Sequence, residues 1–229
     1  MSQSRVVAAT AVHLRILRYA MPTRRSHVPL SLVVGTNRRA TSDGDLARGL
    51  AASEAWAIAE TWHRFAPMVL MMAERSLGSR SEADDIGQEV FYCVFRKVKT
   101  LRDPDSLRSF VYSIAVRALK SDLRRKRLRA WLSFHQPEEL VDLSWRTLDV
   151  ESRDLLRKCY ALLDRLTPRD RLVFILRRME SMTVEEIATT MDISVSTVKR
   201  SMAHASNRLL RWIVADPGLA GLLDEGRWG

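Results

Sequence analysis

The chain has 229 residues, room for two small domains, and a formal net charge of +10 that suits a polyanionic partner. Cys93 and Cys159 lie far apart, with no CxxC and no nearby histidine pair, which argues against a disulfide framework or a zinc site and for buried thiols in a reducing cytoplasm. No apolar run reaches the ~18 residues that a membrane span needs, so no membrane insertion of this chain is expected.

Residues 1–50 carry Arg5, Arg15, Arg18, Arg24, Arg25, Arg38, Arg39 and Arg48, with no acid before Asp43. Such a stretch reads as a basic, disordered extension. It is similar in composition to an organellar transit peptide, and a translation start at Met21 is a second reading. Residues 51–132 form a helical domain. Trp56, Ala59, Trp62, His63, Phe65 and Ala66 open it, Pro67 is expected to interrupt it, and Val69, Met72, Ala73 and Leu77 continue. Ser81, with Asp84 at the third position, is the expected cap of the next helix, where Ile86, Val90, Val94 and Val98 step by four beside Phe91 and Phe95. Asp103-Pro104 then opens a long helix whose stripe runs from Leu107 through Phe110, Val111, Ile114 and Ala118 to Leu123 and ends in Arg124-Arg125-Lys126-Arg127-Leu128-Arg129.

Residues 133–152 read as a flexible linker, with Pro137 and acidic Glu138, Glu139 and Asp142. Residues 153–214 form a second helical domain. Leu155, Leu156, Tyr160, Leu163 and Leu166 make its first helix, and Thr167-Pro168 starts another with Asp170 as the third-position acid. Residues 215–229 read as a frayed tail. With no strand pattern anywhere, the expected class is all-α: two small helical domains joined by a flexible linker.

The second domain contains the most specific local pattern, residues 183–210. Thr183 and Glu186 are spaced as a capping box, and Ile187, Ala188 and Met191 share one face. Asp192-Ile193-Ser194 breaks the pattern and offers Ser194 as the next cap; Val198, Met202, Ala205 and Leu209 then line a second stripe. Two short helices and a tight turn make a helix-turn-helix, whose second helix enters the major groove of DNA. The face left over carries Ser196, Thr197, Lys199, Arg200, Ala203 and His204. Lys and Arg reach guanine edges or phosphates, and Ser and Thr bond phosphates near a helix start. A merely solvated face competes with this reading, but cap, turn, small residue and basic face agree.

Three segments carry a family resemblance. Residues 82–95, EADDIGQEVFYCVF, resemble the acidic, Gln-Glu-bearing helix of bacterial sigma factors. Residues 110–129, FVYSIAVRALKSDLRRKRLR, resemble the promoter-melting helix that follows it, and residues 161–188 resemble the start of the family's C-terminal domain. Order and spacing are similar to those of the small extracytoplasmic-function (ECF) type. The resemblance implies docking on core RNA polymerase through Asp85, Gln88, Glu89 and Phe91. It also implies capture of a flipped base by the loop at residues 101–108 and by Phe110, with Arg117, Lys120, Arg124, Arg125, Lys126 and Arg127 along the opened strand. Upstream promoter DNA would be read by the helix-turn-helix, in the cytoplasm at the nucleoid, under an anti-sigma factor.

The chain departs from the family where Arg117 replaces a common Asn, Ser121 an Asp or Asn, and His204 and Ser206 two arginines. A linker of ~20 residues spans at most about 65 Å, just under two B-DNA turns of ~34 Å, so two tethered domains could read two promoter elements. Two other classes compete. A free-standing helix-turn-helix regulator would use residues 51–132 to dimerise. A metal-dependent enzyme would use Asp84, Asp85 and Glu89, but a second carboxylate cluster for it does not appear. With no nucleophile-base pair, phosphate loop or HExxH, neither catalysis nor a cofactor is expected.

Overall fold

The structure, a computed structural model, describes residues 41–132, 150–216 and 219. Among these there are eight α-helices and no strand, in two compact units, one before and one after residues 133–149.

The first unit opens with α1, Asp43–Ala51, whose cap Ser42 accepts from the Asp45 N–H at 3.0 Å. An extension ending at residue 50 therefore has to be shortened: residues 43–50 are helical, and the rest of that expectation, with Met21, lies outside the described residues. A nine-residue helix with two glycines has little helical tendency of its own. It is held because Leu46 and Leu50 are buried and Arg64 bonds both Asp43 and the Thr41 carbonyl at 2.9 Å. Gly44 lets α1 sit on the turn at Pro104–Ser106, since a Cβ there would stand 2.4 Å from Asp105 Oδ1.

Helix α2, Ala55–Leu77, runs through Pro67 without a break. Pro67 is exposed, and the stripe on the other side, Ala57, Phe65, Val69, Met72 and Ala73, is buried on both sides of it. Burial of ~1.5–3 kcal/mol per large side chain outweighs the ~3 kcal/mol that an interior proline costs. The stripe is displaced from the expected one, so Ala59 and His63 face solvent while the Trp56 ring lies partly covered against Gly49. Gly78, at φ 77°, ends α2 in the left-handed region, and the chain leaves it extended. Ser79, not Ser81, is therefore the residue with cap geometry: its Oγ accepts from the Glu82 N–H, and Ser81 is already in the first turn of α3, Arg80–Lys97. Short 3₁₀ turns at Val98–Thr100 and Pro104–Ser106 lead into α4, Leu107–Leu132; Asp103 caps the second turn as the sequence suggests. Val90, Val94, Leu107, Val111, Ala115 and Leu119 close the core.

The second unit contains α5, Val150–Asp164, α6, Pro168–Arg178, α7, Val184–Met191, and α8, Val195–Ala215. Helix α5 begins three residues before the expected start at 153; the linker residues 133–149 are outside the described set. At the far end Leu219 is 1% exposed and joins the core of Leu156, Tyr160, Leu163, Phe174, Ala205 and Ile213, so the unit does not stop at residue 214. Cys159 is buried and Cys93 only half-buried. Among the described residues no helix is long and apolar enough to cross a membrane.

Candidate nucleic-acid interface

The turn between α7 and α8 is built as its residue types dictate. Thr183 and Glu186 make a reciprocal capping box at 3.1 and 2.7 Å. Asp192 takes the left-handed conformation (φ 54°, ψ 55°) that short polar side chains tolerate, and Ile193 donates back to the Ala188 carbonyl at 3.0 Å. Ser194 then caps α8 by accepting from the Thr197 N–H at 3.2 Å. Val198, Ser201, Ala205 and Leu209 go inside. Ser196, Lys199, Arg200, Ala203 and His204 are exposed and Thr197 is half-buried, so the expected face does form. Three of its members are already engaged. The hydroxyls of Ser196 and Thr197 lie 3.0 and 2.8 Å from Ser194 Oγ, which makes them part of the cap as well as of the surface. His204 donates from Nδ1 to Asp170 Oδ2 of α6 at 2.7 Å. Asp170 is 3% exposed. Burial works to raise its pKa, but hydrogen bonds from His204, Ser201 and Thr167 outweigh it and hold the carboxyl below its usual value.

In the first unit, Arg117, Lys120, Arg124 and Arg125 are brought together. With Ser121 and Leu128 they line one shallow basic depression on α4, as the spacing i, i+3, i+4, i+7 requires. Phe110 is half-buried at the helix start, and Arg127 is exposed beside the depression. Lys126 departs from the expectation of a DNA-facing cation: it turns to α3 and bonds Glu82. Arg125 lies between Asp122 at 3.4 Å and Glu89 at 3.9 Å; the arginine itself is largely exposed, so these contacts hold it only weakly.

On α3, Asp85, Gln88 and Glu89 share an exposed stripe. Phe91 does not belong to it. It is 2% exposed and packs on Trp62 and Phe95, with ring centroids 4.6 and 5.9 Å away. Three residues before Val94 and one after Val90, it falls on the buried side. The residue that sequence reasoning missed is Tyr92, 63% exposed and seven positions after Asp85, which puts it on the Asp85 stripe. The available signal was that same heptad spacing. No group of three or more His, Cys, Asp or Glu among the described residues is arranged to hold a metal ion.

Comparison with known proteins supplies two family matches in chain order: "Sigma-70 region 2" over residues 61–129 and "Sigma-70, region 4" over residues 156–209. The ferric citrate uptake sigma factor FecI of Escherichia coli is 33% identical over 59% of this chain and 79% of its own length. The ECF RNA polymerase sigma factor SigE of Mycolicibacterium smegmatis is 29% identical over 66% of this chain and 59% of its own. The RNA polymerase sigma factor SigV of Bacillus subtilis is 28% identical over 56% and 73%. Among solved structures, CnrH in complex with the cytosolic domain of CnrY shares the fold, with a TM-score of 0.56, 23% identity, and coverage of 76% of this chain and 98% of that one.

Proposed function

The chain belongs to the sigma factors of the extracytoplasmic-function type, which direct promoter-specific transcription initiation, and from this premise we propose how its surfaces divide that work. The first unit docks on core RNA polymerase through Asp85, Gln88, Glu89 and Tyr92 of α3. Acidic and amide groups fit a basic helical partner, and an exposed tyrosine adds apolar contact with a polar tip. The same unit captures a flipped base with the loop at residues 101–108 and Phe110, and holds the opened strand on Arg117, Lys120, Arg124, Arg125 and Arg127 of α4. The second unit lies on the upstream element through Lys199, Arg200, Ala203 and His204, which meet base edges or phosphates, while Ser196 and Thr197 contact phosphates near the start of α8. The factor acts at the nucleoid in the cytoplasm and is held in check by an anti-sigma factor; CnrH, which shares the fold, is seen in complex with the cytosolic domain of CnrY.

The observation that supports this division best is the pairing, on one unit, of an acidic-amide stripe on α3 with a basic depression on α4. One partner is a protein and the other a polyanion. No observation favours a free-standing regulator. Run-off transcription and binding assays with core polymerase test the assignment. Asp85→Ala and Tyr92→Ala should each weaken core binding about tenfold, on the order of 1–2 kcal/mol, while non-specific duplex binding by the free factor stays unchanged. Unaltered core affinity in both variants would remove α3 from the docking surface.

A further inference from the structure

Resting on the reading that α8 lies against upstream DNA, we propose that Asp170 is a positioning residue that turns His204 into a pH-responsive contact for a backbone phosphate. The geometry is a two-sided imidazole. One edge is held inside: Nδ1 lies 2.7 Å from Asp170 Oδ2, and Asp170 is 3% exposed and also bonded to Ser201 and Thr167. The other edge is outside, because the His204 side chain is 48% exposed, on the face that carries Lys199, Arg200 and Ala203.

An ionised carboxylate only accepts hydrogen bonds, so Nδ1 carries its hydrogen and Nε2 is the outward atom. In the neutral ring Nε2 is a bare acceptor and repels a phosphate oxygen. In the charged ring it becomes an N–H donor with a positive charge and attracts one. The Nδ1–H bond to Asp170 is the same in both states, so gaining a proton changes the outer edge without moving the ring. Asp170 stays anionic throughout, since the bonds from His204, Ser201 and Thr167 hold its carboxyl below the usual range against the effect of burial.

The other charged groups around this pair do not replace that link. On α8, Arg200 and Arg208 stand one turn to either side of His204. Helix α7 carries Glu185 and Glu186 in its first turn, and α5 pairs Asp154 with Lys158 and Asp164 with Arg171 of α6. Among the described residues, Asp170 alone is hydrogen-bonded or ion-paired to the His204 side chain.

Histidine changes charge between pH 5 and 8, whereas Lys and Arg do not. DNA affinity should therefore be highest at the acidic end and fall as the proton is lost. The test measures binding of the full chain to a short labelled duplex of arbitrary sequence at fixed ionic strength, because phosphate contacts do not depend on sequence. Across that range the wild type should lose about three- to tenfold in affinity through this contact. His204→Gln should lack that part of the slope, and His204→Arg should bind tightly at every pH. Asp170→Asn can also donate its amide N–H to a bare Nδ1, which lets the neutral ring carry Nε2–H outward, so its slope should flatten. Should Asp170→Asn melt early, Asp170→Glu, which restores the anion, should return the wild-type profile. A wild-type slope in His204→Gln overturns the proposal, as does a wild-type slope in a folded Asp170→Asn. Lys199→Ala separates the two readings. If it leaves duplex affinity intact, α8 is not the DNA face; if it weakens binding while His204→Gln keeps its slope, only the Asp170–His204 inference fails.

Discussion

Phe91 and Tyr92 are neighbours in sequence and opposites in space. A step of about 100° around α3 takes one ring into the core, against Trp62 and Phe95, and leaves the other in solvent. Phe91→Ala should therefore destabilise the first unit by about 3–5 kcal/mol, read as a lowered thermal midpoint, and any loss of polymerase binding should follow from unfolding. Tyr92→Ala should leave the midpoint within about 0.5 kcal/mol. An equal drop for both would place Tyr92 in the core instead. Lys126 gives the same lesson for charge. It belongs by composition to a run of cations, but at this register its amine reaches Glu82 of α3 rather than the open face. Cys159 agrees with the expectation of a buried thiol, and burial pushes its pKa up to about 12, which keeps it protonated and unreactive at neutral pH.

At the scale of elements, caps were legible and boundaries were less so. Thr167, Thr183 and Ser194 each cap the helix their spacing announces, because a cap depends on three or four consecutive residues. Helix α1 was not legible. Two glycines in nine residues give little local tendency, and what holds the segment is burial of Leu46 and Leu50 against residues distant in the chain. A chain beginning at residue 52 should then be less stable in its first unit than one beginning at residue 41, by about 3–6 kcal/mol from two leucines at 1.5–3 each. Equal melting of the two truncations would mean that α1 adds nothing. The uninterrupted course of α2 through Pro67 has the same origin: the local penalty is real, but core packing on both sides exceeds it.

For the whole molecule, a net charge of +10 announces a polyanionic partner without saying which cations meet it. Lys120, Arg124 and Arg125 line one depression together with Arg117, so they should act as phosphate contacts. Arg124→Ala should reduce the slope of log affinity against log salt by about 0.7 for single-stranded DNA. Lys126→Ala, already occupied with Glu82, should change it far less. An unchanged slope for Arg124→Ala would take that side chain off the strand path. The sequence by itself determined the all-helical class, the two units in order, the helix-turn-helix with its caps, and three segments that resemble those of sigma factors. These are legible because periodicity, capping and motif spacing are local. Only the tertiary structure decided that α1 is a helix, that Lys126 is paired, and that His204 is anchored to a buried Asp170. Each of these depends on which side chain a neighbouring helix brings within 3 or 4 Å, and residues 34 or 44 positions apart carry no local sign that they will meet.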